Sequence, residues 1–389
     1  MKKIVIASAL GLAAMGAQAQ SSVTLYGIID TGVEYLSNVK GQGSFLGLNE
    51  GIWGGERFGV RGREDLGGGT AAIFQLENGF NADNGAMQKS GVMFNRGAWV
   101  GLTNDAYGTF TAGRQYTPYY TLLAPWSPTN WLTGALGAHP GDIDNLDTDY
   151  RVSNSVSYKS PTFAGLTFGA LYALGGQAGS FTRGQSWSLA AQYRAGPAGI
   201  GIGYERFENA TPGGGAWNSA STAWSGTGEQ GNTGITAGYQ TAAAQNRLAV
   251  TGGYQFNAKF DVSVSYSNVQ YVAGPGSLFA STAIFNTGGV VLHYHPATAW
   301  DFAAGYAYTR GTRANGITSP ASYNQFNLTQ LYSLSKRTRI YVLEAFQRAN
   351  GETVDSNGKV IRAVANIAEA TQSGNRNQVA VTLGINHSF

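Results

Sequence analysis

Two histidines separated by one residue are the part of this sequence whose chemistry is easiest to name. His293 and His295 lie in the segment LHYHP, and residues i and i+2 of a strand share one face. Imidazole nitrogens on one face could bind a transition metal. The segment offers no third ligand nearby, so placement at an interface beside the ring of Tyr294 is the preferred interpretation. We therefore predict neither a metal site nor a cofactor.

An aspartate-rich segment, DIDNLDTD, is the second candidate. Its acidic residues are Asp142, Asp144, Asp147 and Asp149. The segment is similar to a calcium-binding loop, but the glycine and the terminal glutamate of an EF-hand are missing. The sequence leaves open whether this segment binds a divalent cation.

Arginines are the third group with recognisable chemistry. Four of them have the polar parity of their strands: Arg57, Arg61, Arg96 and Arg151. Successive strand side chains point to opposite faces, so Phe58 and Val60 lie on the face opposite Arg57. Val152 likewise lies opposite Arg151. The alternative is that each arginine is an interfacial residue whose charged end reaches toward water.

The elements that must position these residues are strands. Apolar and polar residues alternate along segments such as VTLYGIIDTGVEY, SWSLAAQYR, WDFAAGYAYT and NQVAVTLGINHSF. One face is apolar and aromatic, and the other carries Ser, Thr, Gly, Gln and Arg. A soluble sandwich also alternates, but it rarely has so many long strands with glycine- and serine-rich polar faces. A transmembrane barrel with apolar residues toward lipid fits better, and it must close because open strand edges are not tolerated in lipid.

Connections alternate between short and long. Seven turns are short (64–69, 104–108, 160–165, 195–199, 257–259, 296–299 and 335–338), and eight connections are longer (38–55, 81–94, 117–150, 175–185, 209–244, 273–285, 310–322 and 349–376). Together they predict an all-β fold, a closed sixteen-stranded antiparallel transmembrane β-barrel. The stretch 232–246 could be strand or loop.

The first residues of the sequence indicate export. Lys2 and Lys3 precede an apolar run, and Ala17-Gln18-Ala19 is typical of a signal-peptidase site. We therefore expect residues 1–19 to be a cleaved signal peptide and residues 20–389 to be the barrel domain. The absence of cysteine excludes a disulfide-stabilised secreted protein. The nearly balanced charge of the mature chain argues against a nucleic-acid partner.

Five ordered segments resemble the general-diffusion porins of Gram-negative β-proteobacteria: SSVTLYGIIDTGVEY, GERFGVRGREDLGGG, FNRGAWVGLTNDAYGTFTAGRQYT, RVSNSVSYKSPTFAGLTFGALYALGG and VTLGINHSF. The resemblance implies a homotrimer in the outer membrane, where it would contact lipid and lipopolysaccharide and be inserted by the barrel assembly machinery. It also implies that the third external loop, 117–150, folds into the channel. Small hydrophilic solutes and ions would diffuse through, with an anion preference in many relatives.

The resemblance also implies roles for individual residues. Arg57, Arg96 and Arg151 would form a basic wall at the channel constriction, with Arg61 deeper in the channel. The aspartates of segment 117–150 would face that wall, although the acidic loop-tip motif of enterobacterial porins is absent. The terminal Phe389 would be the assembly signal.

Arg114 has the outward parity of Phe110 and Ala112. An outward arginine facing lipid would cost roughly 2–4 kcal/mol, so we expect it to contact a neighbouring subunit. Because the second external loop of the family latches onto the adjacent monomer, its one acid, Asp83, is the expected partner of Arg114.

Other functions stay as alternatives. Four histidines, with no Ser-His-acid set that can be placed at one mouth, argue against a barrel enzyme, and the loops are short for an adhesin. A substrate-specific porin is the main alternative, because the third loop carries several aromatic residues: Tyr119, Tyr120, Trp126 and Trp131. The sign of the ion selectivity cannot be read from the sequence.

Overall fold

The alternating segments of the sequence form one closed β-sheet in the computed structural model. The structure describes residues 21–131, 133–147, 150–215, 221–223 and 234–389. The predicted signal peptide, residues 1–19, lies outside the described residues. Among the helices that are described, none is long and apolar enough to cross a membrane.

Nineteen strands lie in the described ranges. They are β1 (Ser22–Val39), β2 (Gly43–Glu50), β3 (Arg57–Gly67), β4 (Thr70–Asn78), β5 (Gly97–Asn104), β6 (Gly108–Gln115), β7 (Val152–Lys159), β8 (Leu166–Ala173), β9 (Ser186–Ala195), β10 (Ala198–Glu208), β11 (Ala244–Asn257), β12 (Phe260–Val272), β13 (Ala283–Ala297), β14 (Trp300–Gly311), β15 (Ser322–Ser333), β16 (Thr338–Asn350), β17 (Glu352–Val354), β18 (Val360–Arg362) and β19 (Asn377–Ser388).

Seventeen of these strands form the barrel sheet, and β17 and β18 form a separate hairpin. Both β2 and β3 pair with β1. Strand β2 pairs with residues 31–39 of β1, and β3 pairs with residues 22–28. They therefore share one position in the sheet, which gives sixteen positions around the cylinder. Antiparallel pairing of β1 with β19 closes it. The closed sixteen-stranded barrel predicted from the sequence is confirmed.

The two faces of the sheet differ as the alternation predicts. On β12, Ser263 and Ser267 are buried inside, whereas Val264 and Tyr266 are 53% and 47% exposed on the outer surface. An outer surface rich in exposed apolar and aromatic side chains suits lipid rather than water. The strands of this barrel therefore cross a lipid bilayer.

The C-terminal residue completes the closure. The backbone N–H and carbonyl of Phe389 each hydrogen-bond to Gly27 of β1 at 3.1 Å. The Phe389 ring lies directly on Gly27, because a Cβ at that glycine would come within 2.3 Å of the ring. The last aromatic residue thus covers the point where the first and last strands meet.

The segment 117–150 contains several ordered turns of its own. It begins with helix α1 (Pro118–Leu123), whose N-cap residue Thr117 accepts from the N–H of Tyr120. Short 3₁₀ turns follow at Ala124–Trp126, Thr129–Trp131, Ala135–Gly137 and Pro140–Asp142. The ambiguous stretch 232–246 is mostly loop where it is described, with a 3₁₀ turn at Ala237–Tyr239 before β11 begins.

Candidate functional site

Side chains from the strands and from segment 117–150 surround a polar cavity of about 540 Å³ inside the barrel. Its lining includes four basic side chains, Arg57, Lys89, Arg96 and Arg151. The structure thus brings together three of the four arginines that the sequence places on the polar face. Lys89 was not anticipated, because it lies in the loop 81–94, where strand parity gives no guidance.

Each arginine is held at the beginning of a strand. Arg57 follows the interruption between β2 and β3, and its Nε donates to the carbonyl O of Gly55 at 2.7 Å. Arg96 immediately precedes β5, and its Nε donates to Oε1 of Glu77 at 2.9 Å. Arg151 immediately precedes β7. Strand starts are rigid positions, so these charges have defined places around the cavity.

Tyr116 joins two of the arginines, and sequence reasoning missed it. Its hydroxyl oxygen accepts from Nη2 of Arg151 at 2.9 Å and from Nη2 of Arg96 at 3.2 Å. The Arg151 guanidinium also lies 4.8 Å from the centre of the Tyr116 ring. Burial alone would raise the pKa of Tyr116, but Arg151, Arg96 and Arg57 stabilise the phenolate and lower this pKa to about 8.

Arg61 lies away from this group. It is exposed, and its guanidinium lies 5.2 Å from the centre of the Tyr26 ring. It is not among the residues that line the cavity. Arg61 lies four residues further along β3 than Arg57, and its place deeper in the channel stays a prediction.

The acidic residues of segment 117–150 differ from the sequence expectation. Among the aspartates of this segment that the structure describes, Asp147 alone lines the cavity. Asp142 and Asp144 are buried, so they do not face the arginines across water. An Asp142 carboxylate oxygen instead accepts from the N–H of Asp147 at 3.0 Å. Asp149 lies outside the described residues. Two further acids that the sequence did not single out, Glu56 and Glu369, line the cavity.

Asp144 belongs to a buried set that the sequence did not reveal. The Nδ1 of His139 lies 2.5 Å from Oδ2 of Asp144, and the Nε2 of His139 lies 3.0 Å from Oγ of Ser265. Ser267 also donates to Asp144 at 2.5 Å. Burial by itself raises the pKa of Asp144, but His139 and the hydrogen bonds hold this pKa below its ordinary value.

This set has the residue types of a Ser-His-Asp catalytic triad, which the sequence could not place at one mouth. All three side chains are at most 8% exposed, and the set joins a loop to a strand more than 100 residues away in sequence. It therefore works as an attachment of segment 117–150 to the inner surface of β12.

Other contacts attach the same segment around the barrel. Thr251 of β11 donates to the carbonyl O of Leu123 at 2.9 Å. Asn327 of β15 donates to the carbonyl O of Leu136 at 2.8 Å. All of these strand side chains are buried, so the segment is hydrogen-bonded to three widely separated strands.

The position of Arg114 differs from the expectation that it faces outward toward Asp83 of a neighbouring subunit. Its side chain is buried within its own chain, where Nε donates to the carbonyl O of Asn95 at 2.7 Å and Nη1 donates to Oγ of Ser153 at 2.9 Å. Asn95, which precedes β5, and Ser153 of β7 therefore supply acceptors for the guanidinium. Asp83 is exposed.

The aromatic residues of segment 117–150 do not form a track along the cavity. Tyr120 lines it, whereas Tyr119 and Trp126 are buried. Trp131 packs edge-on against His293, with ring centres 6.2 Å apart. Most of the aromatic surface is therefore used to hold the segment in place.

Comparisons with known proteins agree with this architecture. The family model for Gram-negative porins matches residues 7–352. An outer membrane porin of Bordetella pertussis is 38% identical over 189 residues, which is 44% of this chain and 48% of that protein, about half its length. Outer membrane porin protein 32 of Delftia acidovorans is 30% identical, and the match covers 100% of both chains.

Among solved structures, the anion-selective porin from Comamonas acidovorans superposes with a TM-score of 0.71 at 23% identity. The superposition covers 95% of this chain and 100% of that one. Of the residues that line the cavity, Glu369 alone lies outside the part matched by the family model.

Proposed function

The chain belongs to the Gram-negative porin family, and we propose that its arginine-lined cavity is the constriction of the channel and gives it a preference for anions. The protein forms an outer-membrane channel for the passive diffusion of small hydrophilic solutes and ions. The observation that carries this proposal is the convergence of Arg96 and Arg151 on the Tyr116 hydroxyl, with Arg57 lining the same cavity. Fixed charges lining a narrow aqueous passage select ions by sign.

The excess of positive over negative charge at the cavity is small. Glu77 pairs with Arg96, and Asp147 lines the cavity with the arginines. Four basic residues, Arg57, Lys89, Arg96 and Arg151, and three acidic ones, Glu56, Asp147 and Glu369, line the cavity, so the lining carries one excess positive charge. Low-dielectric walls focus such a field, and salt screens it with a Debye length of about 10 Å at 0.1 M. We expect a selectivity that is clear in dilute salt and weak in concentrated salt.

We propose that segment 117–150 is the inward-folded third external loop and narrows the channel. Its hydrogen bonds to inner-face side chains of β11, β12 and β15 support this proposal. A sixteen-stranded barrel encloses an open aqueous lumen unless a loop fills part of it. The segment therefore controls how large a solute can pass.

We further propose that the mature barrel, residues 20–389, is a homotrimer that contacts lipid and lipopolysaccharide and is inserted by the barrel assembly machinery. The exposed apolar outer face supports the lipid contact. The relatives are porins, which are channels, and we propose no catalytic role for the buried His139 set. With only Tyr120 of the loop aromatics at the cavity, general diffusion is favoured over a substrate-specific porin.

Reversal potentials in a potassium chloride gradient test the basic wall. In the triple variant Arg57→Ser, Arg96→Ser, Arg151→Ser, the ratio of chloride to potassium permeability should fall severalfold. The matched control is Arg183→Ser, Arg313→Ser, Arg337→Ser, which removes the same charge from exposed positions and should keep a ratio close to that of the wild type.

Asp147→Asn should shift the ratio in the opposite direction, because it removes a negative charge from the cavity. Both shifts should shrink in molar salt. An arginine variant that changes conductance but keeps the wild-type reversal potential in dilute salt would show that these side chains do not set the selectivity.

A further inference from the structure

Two histidines and two aspartates meet on the inner face near the short turns of the barrel. His293 and His295 lie on β13, between Asp261 of β12 and Asp301 of β14. The sequence offered no third ligand beside the two histidines. Antiparallel pairing supplies the missing groups, because Asp261 lies directly opposite His293 in the register of β12 and β13.

The distances in this cluster are those of a ligand set. The Nδ1 of His293 lies 3.1 Å from Oδ1 of Asp261, and the Nε2 of His295 lies 3.4 Å from Oδ2 of Asp261. One ligand atom from each of these three residues can be chosen so that all lie within 4.8 Å of one another. Zinc–ligand bonds of about 2.0–2.1 Å in a tetrahedral site place ligand atoms roughly 3.3 Å apart. Separations of up to 4.8 Å must therefore shorten by up to about 1.5 Å for the three side chains to share one ion.

Two observations indicate that the cluster is more than a set of polar contacts. The Nε2 of His293 is buried and makes no hydrogen bond among the described residues, and the side chain is 10% exposed. Oδ1 of Asp301 lies 3.6 Å from this nitrogen, which is beyond hydrogen-bond distance, and a buried polar atom that makes no hydrogen bond is costly. Asp301 contacts Nδ1 of His295, the arrangement by which a carboxylate orients a metal-binding imidazole.

We propose that Asp261, His293 and His295 bind a divalent transition-metal ion of the zinc class inside the channel, with Asp301 orienting His295. Three protein ligands leave a coordination position for water or a passing anion. Imidazole favours zinc, copper and nickel over magnesium and calcium. His295 is partly exposed, with 34% of its side chain accessible, so an ion in the lumen reaches the site.

Calorimetric titration of Zn²⁺ into the folded, EDTA-washed protein in detergent tests the proposal directly. The wild type should bind one Zn²⁺ per chain, and His293→Gln, His295→Gln should abolish that binding. The matched control is His387→Gln, because His387 is an exposed histidine on β19 and should leave the binding unchanged. Migration on gels before and after heating confirms that each variant is folded.

Two further measurements separate a metal site from a hydrogen-bonded cluster. Asp301→Asn should weaken Zn²⁺ binding about 10–100-fold, the usual effect of losing an orienting carboxylate. Excess Mg²⁺ should not displace Zn²⁺. Equal Zn²⁺ binding by the wild type and the double histidine variant, no binding by either, or displacement of Zn²⁺ by Mg²⁺ would overturn the proposal.

Discussion

At the scale of single residues, Tyr116 reports the electrostatics of the cavity. A buried phenol ordinarily ionises less readily than one in water, yet three nearby arginines lower the pKa of Tyr116 to about 8. The lowered pKa means that the positive charge of the arginines has a larger effect on the Tyr116 hydroxyl than burial does. The residue that binds the guanidinium groups is therefore also a titratable part of the proposed constriction.

A pH dependence of selectivity follows from this pKa. As the pH rises through about 8, Tyr116 loses a proton and adds a negative charge beside Arg96 and Arg151. The ratio of chloride to potassium permeability should therefore fall between pH 7 and pH 9. Reversal potentials measured across that range check the expectation, and Tyr116→Phe should remove most of the dependence. If the permeability ratio of the variant changes with pH as steeply as that of the wild type, a group other than Tyr116 is titrating.

At the scale of elements, two adjacent glycines of β13 distinguish the inner face from the outer face. A Cβ at Gly289 would lie 2.5 Å from Nε2 of His139, whereas a Cβ at Gly288 would have nothing within 4 Å. Gly289 therefore leaves the space that His139 needs to reach Ser265. The attachment of segment 117–150 to β12 depends on the absence of one side chain.

Gly289→Val should displace His139 and loosen the segment. We expect a higher and noisier single-channel conductance, together with a loss of stability of about 1–3 kcal/mol, which is typical of overpacking. Gly288→Val is the matched control, since the same side chain would point outward from the barrel. Single-channel recording and thermal unfolding measure the two effects, and wild-type conductance in Gly289→Val would contradict the role given to His139.

The closure between β1 and β19 gives a second element-scale prediction. Deleting Phe389 removes two backbone hydrogen bonds to Gly27, each with a net value of about 0.5–1.5 kcal/mol, and also the ring that covers Gly27. The deletion should reduce the amount of folded, heat-modifiable protein in outer membranes. Ser388→Ala keeps both features and should accumulate normally. Normal accumulation of the deletion variant would show that the closure does not need this residue.

At the scale of the whole molecule, the distribution of apolar surface is inverted relative to a soluble protein. Side chains such as Leu25 and Val100, 64% and 61% exposed, lie on the outside, while serines and threonines lie within. This surface requires lipid or detergent. We therefore expect the chain to be exported unfolded and to acquire its structure at the membrane.

We expect the exported protein to begin at Gln20 and to assemble as a trimer. Intact-mass measurement of protein purified from outer membranes should give the mass of residues 20–389. Gel migration without heating should correspond to three chains, and heating should convert it to a single chain. A retained Met1, or a single-chain species before heating, would contradict the two expectations respectively.

The sequence by itself determined the barrel and the polar face on which Arg57, Arg96 and Arg151 lie. Both depend on a period of two along each strand, which is a local property that any single strand reveals. The number of strands followed from the alternation of short turns and long loops. The period of two also placed Arg57, Arg96 and Arg151 on the polar face. The family resemblance then indicated that these three arginines belong to one wall.

The tertiary structure alone decided which residues from different parts of the chain meet. Asp144 turned out to bind His139 and Ser267 rather than to face the arginines, and Arg114 turned out to be buried by its own chain. Asp261 joined the histidines of β13 through strand register. Periodicity assigns a residue to a face, but register between strands and the path of a loop across the lumen assign its partners, and neither is encoded in the spacing of one segment.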